Sequence, residues 1–74
     1  MEPTHGGIKL RHYREGRGLS QAAFAALVGT NQSTVAKWEA GHFRPGRYAT
    51  RAIERATEGA ITDVDFFPDL AAAE

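Results

Sequence analysis

The sequence predicts an all-α fold of four to five short helices, and three observations carry that expectation. No stretch sustains the alternation of apolar and polar residues that marks a half-buried strand, and the β-branched residues are scattered. Alanine-rich segments recur between glycines at helix-length intervals. Most of these segments also carry a start or stop signal of their own. At 74 residues the chain makes one domain with a modest core, so a partner subunit is a natural source of further stability. The pattern places that domain at residues 8–67, between a flexible N-terminal arm (1–7) and a C-terminal tail (68–74).

The first helix is expected from Ile8 to Glu15, with Leu10, Tyr13 and Arg14 on one stripe. The Gly16-Arg17-Gly18 turn ends it, since glycine tolerates a left-handed cap. Ser20 caps the second helix, and Leu19 before it is placed to staple onto Phe24. Phe24, Leu27 and Val28 mark the expected buried face, and Gly29 stops the helix. Asn31 caps a third helix that runs to about Ala40, with Val35 and Trp38 inward and Gly41 as terminator. A fourth helix from Arg47 to Thr57 puts Ala49, Ala52, Ile53 and Ala56 on one stripe. Thr62 caps a last short turn in which Val64, Phe66 and Phe67 return apolar surface to the core or to a second subunit, before Pro68 breaks it.

The net charge is zero, which by itself gives no overall attraction to a polyanion. Its distribution is uneven. All nine basic residues lie at or before Arg55, against four acids there, for a net +5; residues 56–74 carry five acids and no base, for −5. One end therefore suits an anionic partner and the other is directed elsewhere. Without cysteine there is neither a disulfide nor a thiolate zinc site. No apolar run approaches the roughly 20 residues of a bilayer span, and the N-terminus lacks the basic and apolar regions of a signal peptide. These features lead to the expectation of a cytoplasmic chain with no membrane partner.

A helix of about two turns, a glycine turn and a second helix with its own apolar stripe form the helix-turn-helix arrangement. It lays the second helix in the DNA major groove. At 100° per residue, Val35 and Trp38 face inward while Ser33, Ala36, Lys37 and Ala40 face outward. Small Ala36 and Ala40 permit close approach to base edges, and Lys37 can donate to guanine.

The run from Leu19-Ser20-Gln21 through Gly29-Thr30-Asn31-Gln32-Ser33 to Lys37-Trp38-Glu39-Ala40-Gly41 resembles the Cro/Xre branch of the lambda-repressor-like helix-turn-helix proteins. The resemblance covers roughly Leu10 to Ile53. It implies a lambda-repressor-like bundle in which Gln32, Ser33 and Lys37 read bases. Gln21, Asn31, Arg44 and Arg47 are the expected contacts to the DNA backbone, Arg47 because it lies nearest the reader's loop. The resemblance also implies that Gln21 braces Gln32 and that Arg14 pairs with Glu39 as a structural ion pair. Phe43 departs from the family, whose members mostly carry a small or charged residue there. The segment from Ala52 to Thr62 resembles the ending of Cro-like and YdaS-like small phage or antitoxin regulators.

Plainer roles absorb other residues. Trp38 and Tyr13 sit on apolar stripes and are expected in the core, not as stacking platforms. Arg47, Arg51 and Arg55 form a row that is either a phosphate track or a solvated face paired with Glu54 and Glu58. His5, His12 and His42 lack metal-ligand spacing, and Asp63, Asp65 and Asp69 lack a calcium-loop pattern, so no metal or other cofactor is expected. Neither a phosphate loop nor a nucleophile motif is present, so no enzyme is expected. The expected function is sequence-specific DNA binding by a homodimeric repressor at a palindromic operator. The alternative is an antitoxin or anti-regulator whose acidic end, with Phe66 and Phe67, binds a toxin or another regulator.

Overall fold

The first three helices of this chain begin where a side-chain oxygen can take up one of the first N–H groups, which have no partner inside the helix. Thr4 Oγ1 accepts from Gly7 N at 3.0 Å, Ser20 Oγ from Ala23 N at 3.0 Å, and Asn31 Oδ1 from Thr34 N at 2.9 Å. A computed structural model describes residues 4–72 and contains no strand among them. The helices are α1 (His5–Gly16), α2 (Gln21–Val28), α3 (Gln32–Ala40), α4 (Arg47–Ala56), α5 (Asp63–Phe66) and α6 (Asp69–Ala72). None of them is long and apolar enough to cross a membrane.

The two terminators of the central motif are left-handed glycines. Gly29 has φ 89° and Gly41 φ 81°, a region costly for a residue with a Cβ. Beyond each, the chain closes the helix end in the same way: Thr30 N donates to Ala25 O at 2.9 Å and His42 N to Lys37 O at 3.0 Å. Helix, three-residue turn and helix follow as the spacing predicts.

Leu10 from α1, Phe24 and Ala25 from α2, Val35 and Trp38 from α3, Ile53 from α4, and Ile61 and Phe66 from the C-terminal segment form one core. Burying a side chain such as Phe24 or Leu10 is worth about 1.5–3 kcal/mol. Leu19, Val28 and Tyr13 pack against its edge. Leu27 does not join them. It is 61 % exposed, because the buried face of α2 centres between Phe24, Val28 and Ala25, and Leu27 lies about 100° away around the helix. On α4 the buried positions are Thr50 and Ile53, while Ala49, Ala52 and Ala56 are half-buried. Thr50 tolerates burial because its hydroxyl donates to Arg47 O at 2.9 Å.

The first helix starts three residues before Ile8, so residues 5–7 of the expected arm are helical. Gly6 and Gly7 are buried there, and packing explains them. A Cβ at Gly6 would stand 2.4 Å from the Phe66 ring, and one at Gly7 would stand 2.5 Å from Trp38 O. These glycines let α1 press against α5 and against the end of α3. Residues 1–3 of the expected arm and residues 73–74 of the expected tail lie outside the described residues. Within that tail, α6 adds a sixth helix that the sequence pattern does not predict.

The C-terminal segment is tied down by two polar devices. Buried Thr57 donates its hydroxyl to Ile53 O at 2.8 Å and accepts from Ile61 N at 3.1 Å, turning the chain out of α4. Asp65 accepts from Thr62 N at 2.9 Å and from Lys9 Nζ at 3.1 Å, and His5 Nε2 stands 3.5 Å away. Burial pushes the Asp65 carboxyl up, but the Thr62 amide and the Lys9 ammonium outweigh it and hold the group below its ordinary value. α5 is thereby pinned to α1. Phe67, just before Pro68, is extended at φ −132°, as the residue preceding proline must be, and α5 ends there.

Candidate nucleic-acid interface

Because α3 follows its cap directly, its first two residues, Gln32 and Ser33, stand exposed at the N-terminal end, with Lys37 exposed one turn on. Val35 and Trp38 on the opposite side are in the core. Ala36 and Ala40 between them are half-buried, so the outward surface of α3 is shallow.

A chain of hydrogen bonds runs outward from the interior to this surface. Arg14 Nε donates to Glu39 Oε2 at 2.7 Å and Arg14 Nη2 to Glu39 Oε1 at 2.9 Å, a two-point pairing of planar groups. Glu39 is buried, and the bond to its carboxylate raises the Arg14 pKa further despite the opposing effect of burial. Arg14 Nη1 also donates to Leu19 O at 2.9 Å, fixing the approach to α2. Glu39 Oε1 accepts from Gln21 Nε2 at 3.1 Å, and Gln21 Oε1 in turn accepts from Gln32 Nε2 at 2.7 Å. The structure thus joins Arg14, Glu39, Gln21 and Gln32 in one network, and Gln32 Oε1 is its exposed end. Four side chains from α1, α2 and α3 agree on one position for that amide.

Electrostatics sharpen the site. Lys9, Arg11 and Arg14 are engaged by Asp65, Glu15 and Glu39, and Arg17 lies over the Tyr13 ring at 4.8 Å. Lys37, Arg44, Arg47, Arg51 and Arg55 are exposed and make no ion pair among the described residues. The cations paired with acids are all on α1. Lys37 on α3, Arg44 in its following loop and Arg47 at the start of α4 keep their charge, whereas Arg51 and Arg55 alternate along α4 with the exposed acids Glu54 and Glu58. Of the two readings of the arginine row, the solvated face has its residues exposed, but Glu54 and Glu58 form no ion pair with it among the described residues.

The remaining site residues are distributed more loosely. Asn31 Oδ1 is occupied by capping, accepting from both Thr34 N and Thr34 Oγ1 at 2.9 Å. Arg44 lies in the loop after α3, its guanidinium 5.5 Å from the centre of the Phe67 ring. Arg47 opens α4, whose cap, Gly46, offers no side-chain acceptor. The sequence pattern gives no hint that Phe67 underlies Arg44. For Phe43, whose ring lies 5.8 Å from Lys37 Nζ, an aromatic in the loop after α3 was the available signal.

A family model described as a helix-turn-helix domain matches residues 7–65. Among solved structures, the chain is similar to the P22 c2 repressor protein, crystallised in complex with synthetic operator 9T in the presence of Tl+. The TM-score is 0.69 at 24 % identity, over 72 % of this chain and 80 % of that one. No curated protein matches. The fold is accordingly the lambda-repressor-like helix-turn-helix bundle. With the matched family model reaching from the first turn of α1 into α5, the chain belongs to the helix-turn-helix domain family.

Proposed function

We propose that this protein is a sequence-specific DNA-binding transcriptional regulator that acts as a homodimeric repressor on a palindromic operator in the cytoplasm. The observation that carries the reading is the network ending at Gln32: a buried ion pair holds Gln21, and Gln21 holds an exposed amide at the start of α3. An amide held in this way suits the paired donor and acceptor of adenine in the major groove. Ser33 and Lys37 read neighbouring bases, and Arg44 and Arg47 neutralise phosphates, which positions the domain without reading sequence. Gln21 and Asn31 add backbone contacts at the entries of α2 and α3. Support for a double-stranded DNA partner comes from family membership and from likeness to a repressor described in complex with an operator.

Selection from a randomised duplex pool, followed by titration of the selected duplex at several salt concentrations, tests the proposal. We expect a recovered sequence with two-fold symmetry and an affinity that falls steeply with salt. Absence of binding at low salt sinks the reading. An antitoxin or anti-regulator acting through the acidic end is less well supported, because Phe66, one of its two aromatic anchors, is 1 % exposed and serves the core.

A further inference from the structure

The two ends of the outward face of α3 are held in different ways. At the N-terminal end, Gln32 is fixed by hydrogen bonds that lead back to Glu39. At the C-terminal end, Lys37 and the loop residue Arg44 are exposed, and no carboxylate holds either among the described residues. Glu39, the one acid of α3, is buried and taken up by Arg14 and Gln21, and residues 41–46 include no acid. Each of the two cations has an aromatic ring instead. Lys37 Nζ stands 5.8 Å from the centre of the Phe43 ring, and the Arg44 guanidinium carbon 5.5 Å from that of Phe67. Both lie inside the roughly 6 Å over which a ring face attracts a cation.

Both rings sit on anchored backbone. Phe43 belongs to a loop tied at each end: beyond left-handed Gly41, His42 N donates to Lys37 O at 3.0 Å, and Pro45 is fully buried. The loop is thus fastened to the main chain of the same residue whose ammonium lies over its ring. Phe67 follows Phe66, a member of the core, and itself packs against that core. Core burial does not account for Phe43, which is 45 % exposed.

A ring attracts a cation without cancelling its charge. On α1, by contrast, Asp65, Glu15 and Glu39 hold Lys9, Arg11 and Arg14 and neutralise them. A side chain that meets DNA has to be held and still be charged. A guanidinium stacked on a ring face keeps its in-plane N–H donors free for a phosphate, and an ammonium keeps the donors that point away from the ring. We propose that Phe43 and Phe67 are positioning residues for DNA recognition: Phe43 aims Lys37 at its base, and Phe67 aims Arg44 at a phosphate. These roles rest on the DNA-binding reading above and deepen it by naming what orients the two cations.

Nuclear magnetic resonance without DNA and duplex titration together test the two roles. In the free protein, the ring current of Phe43 should shift the Lys37 ε-methylene protons upfield, and Phe43→Leu should abolish the shift. On DNA, Phe43→Leu should lower discrimination at the one base position that Lys37→Ala relaxes, by about two- to fivefold, the range an exposed cation–ring contact supplies. Phe43→Trp should restore it, since tryptophan offers a cation the best ring face. Phe67→Leu should weaken all duplexes alike by about the same factor, with base preference unchanged, and Phe67→Tyr should bind as the wild type does. In double-mutant cycles, Phe43→Leu should add nothing once Lys37 is replaced by alanine, and Phe67→Leu nothing once Arg44 is. Because Phe67 also packs on the core, circular dichroism monitors the folding of its variants.

The two roles are overturned if Phe43→Leu and Phe67→Leu bind and discriminate as the wild type does, or if the ring-current shift is absent. They are equally overturned if the effects persist in full without Lys37 and Arg44, which would mean that the rings touch the duplex themselves. Failure of Phe43→Trp to recover what Phe43→Leu loses also overturns the role of Phe43. A wild type that shows the ring-current shift yet binds no duplex at low salt sinks the DNA-binding reading itself. Binding that is insensitive to the rings sinks the positioning roles alone.

Discussion

Gln32 donates to Gln21 Oε1 across 2.7 Å, while Gln21 donates to Glu39 at 3.1 Å, so the amide at the start of α3 takes its orientation from a carboxylate in the interior. An amide fixed before binding loses less freedom when it meets a base. Gln21→Ala should therefore lower affinity for the selected duplex by about tenfold, near the low end of what a good base contact is worth. Binding to unrelated duplex should fall less, and competition titrations read the difference.

Breaking the Arg14–Glu39 pair leaves a charge with little access to water. Glu39→Ala should cost about 3 kcal/mol, as removal of one partner of a buried pair does. Thermal melts of a domain this size should register that as a fall of roughly 12–24 °C. The double variant Arg14→Met/Glu39→Leu should recover much of the stability, since apolar replacements fill the same space without the cost of desolvating charge. It should still bind DNA poorly, because Gln21 has lost the acceptor that aligns it.

Gly6→Ala and Gly7→Ala should each destabilise by about 1–3 kcal/mol, the usual cost of overpacking. The added carbons meet the Phe66 ring and the backbone carbonyl of Trp38, and only the ring can move. Gly16→Ala meets nothing within 4 Å at the end of α1 and should stabilise by about 0.5 kcal/mol. Urea titration of the three variants distinguishes a tight helix contact from a general preference for alanine.

Asp65 predicts the acid limb of the stability profile. Its folded pKa lies below its ordinary value, so its contribution is fully present above the unfolded carboxylate pKa and is lost as pH falls through the lowered folded value. Asp65→Asn should lower stability near neutral pH and flatten that limb. Denaturation midpoints between pH 7 and pH 2 measure both effects, and an unchanged slope would refute the tether between α1 and α5.

Lys37→Ala should relax preference at one base position, whereas Arg44→Ala should weaken all duplexes alike and reduce the salt dependence by about one counterion. Repeating the duplex selection with each variant separates reading from positioning.

Residues whose partners lie nearby in the chain were legible in the sequence. Ser20 and Asn31 cap through bonds to residues three positions on, and Gly29 and Gly41 end helices through local backbone geometry. The spacing of α2 and α3 and the outward positions of Gln32, Ser33 and Lys37 follow from those caps and from helical periodicity. Tertiary packing decided the rest. Gly6 and Gly7 read as an arm, because glycine discourages a helix until a neighbour demands the missing Cβ, and that neighbour is Phe66 or the end of α3. Leu27 reads as core by its chemistry, yet the neighbours of α2 cover a face that stops short of it. Arg44 over Phe67, and Lys9 on Asp65 across 56 positions, depend on where the C-terminal turn lands against the bundle. Periodicity specifies the face each helix can bury, and only the assembled neighbours determine how much of that face is covered.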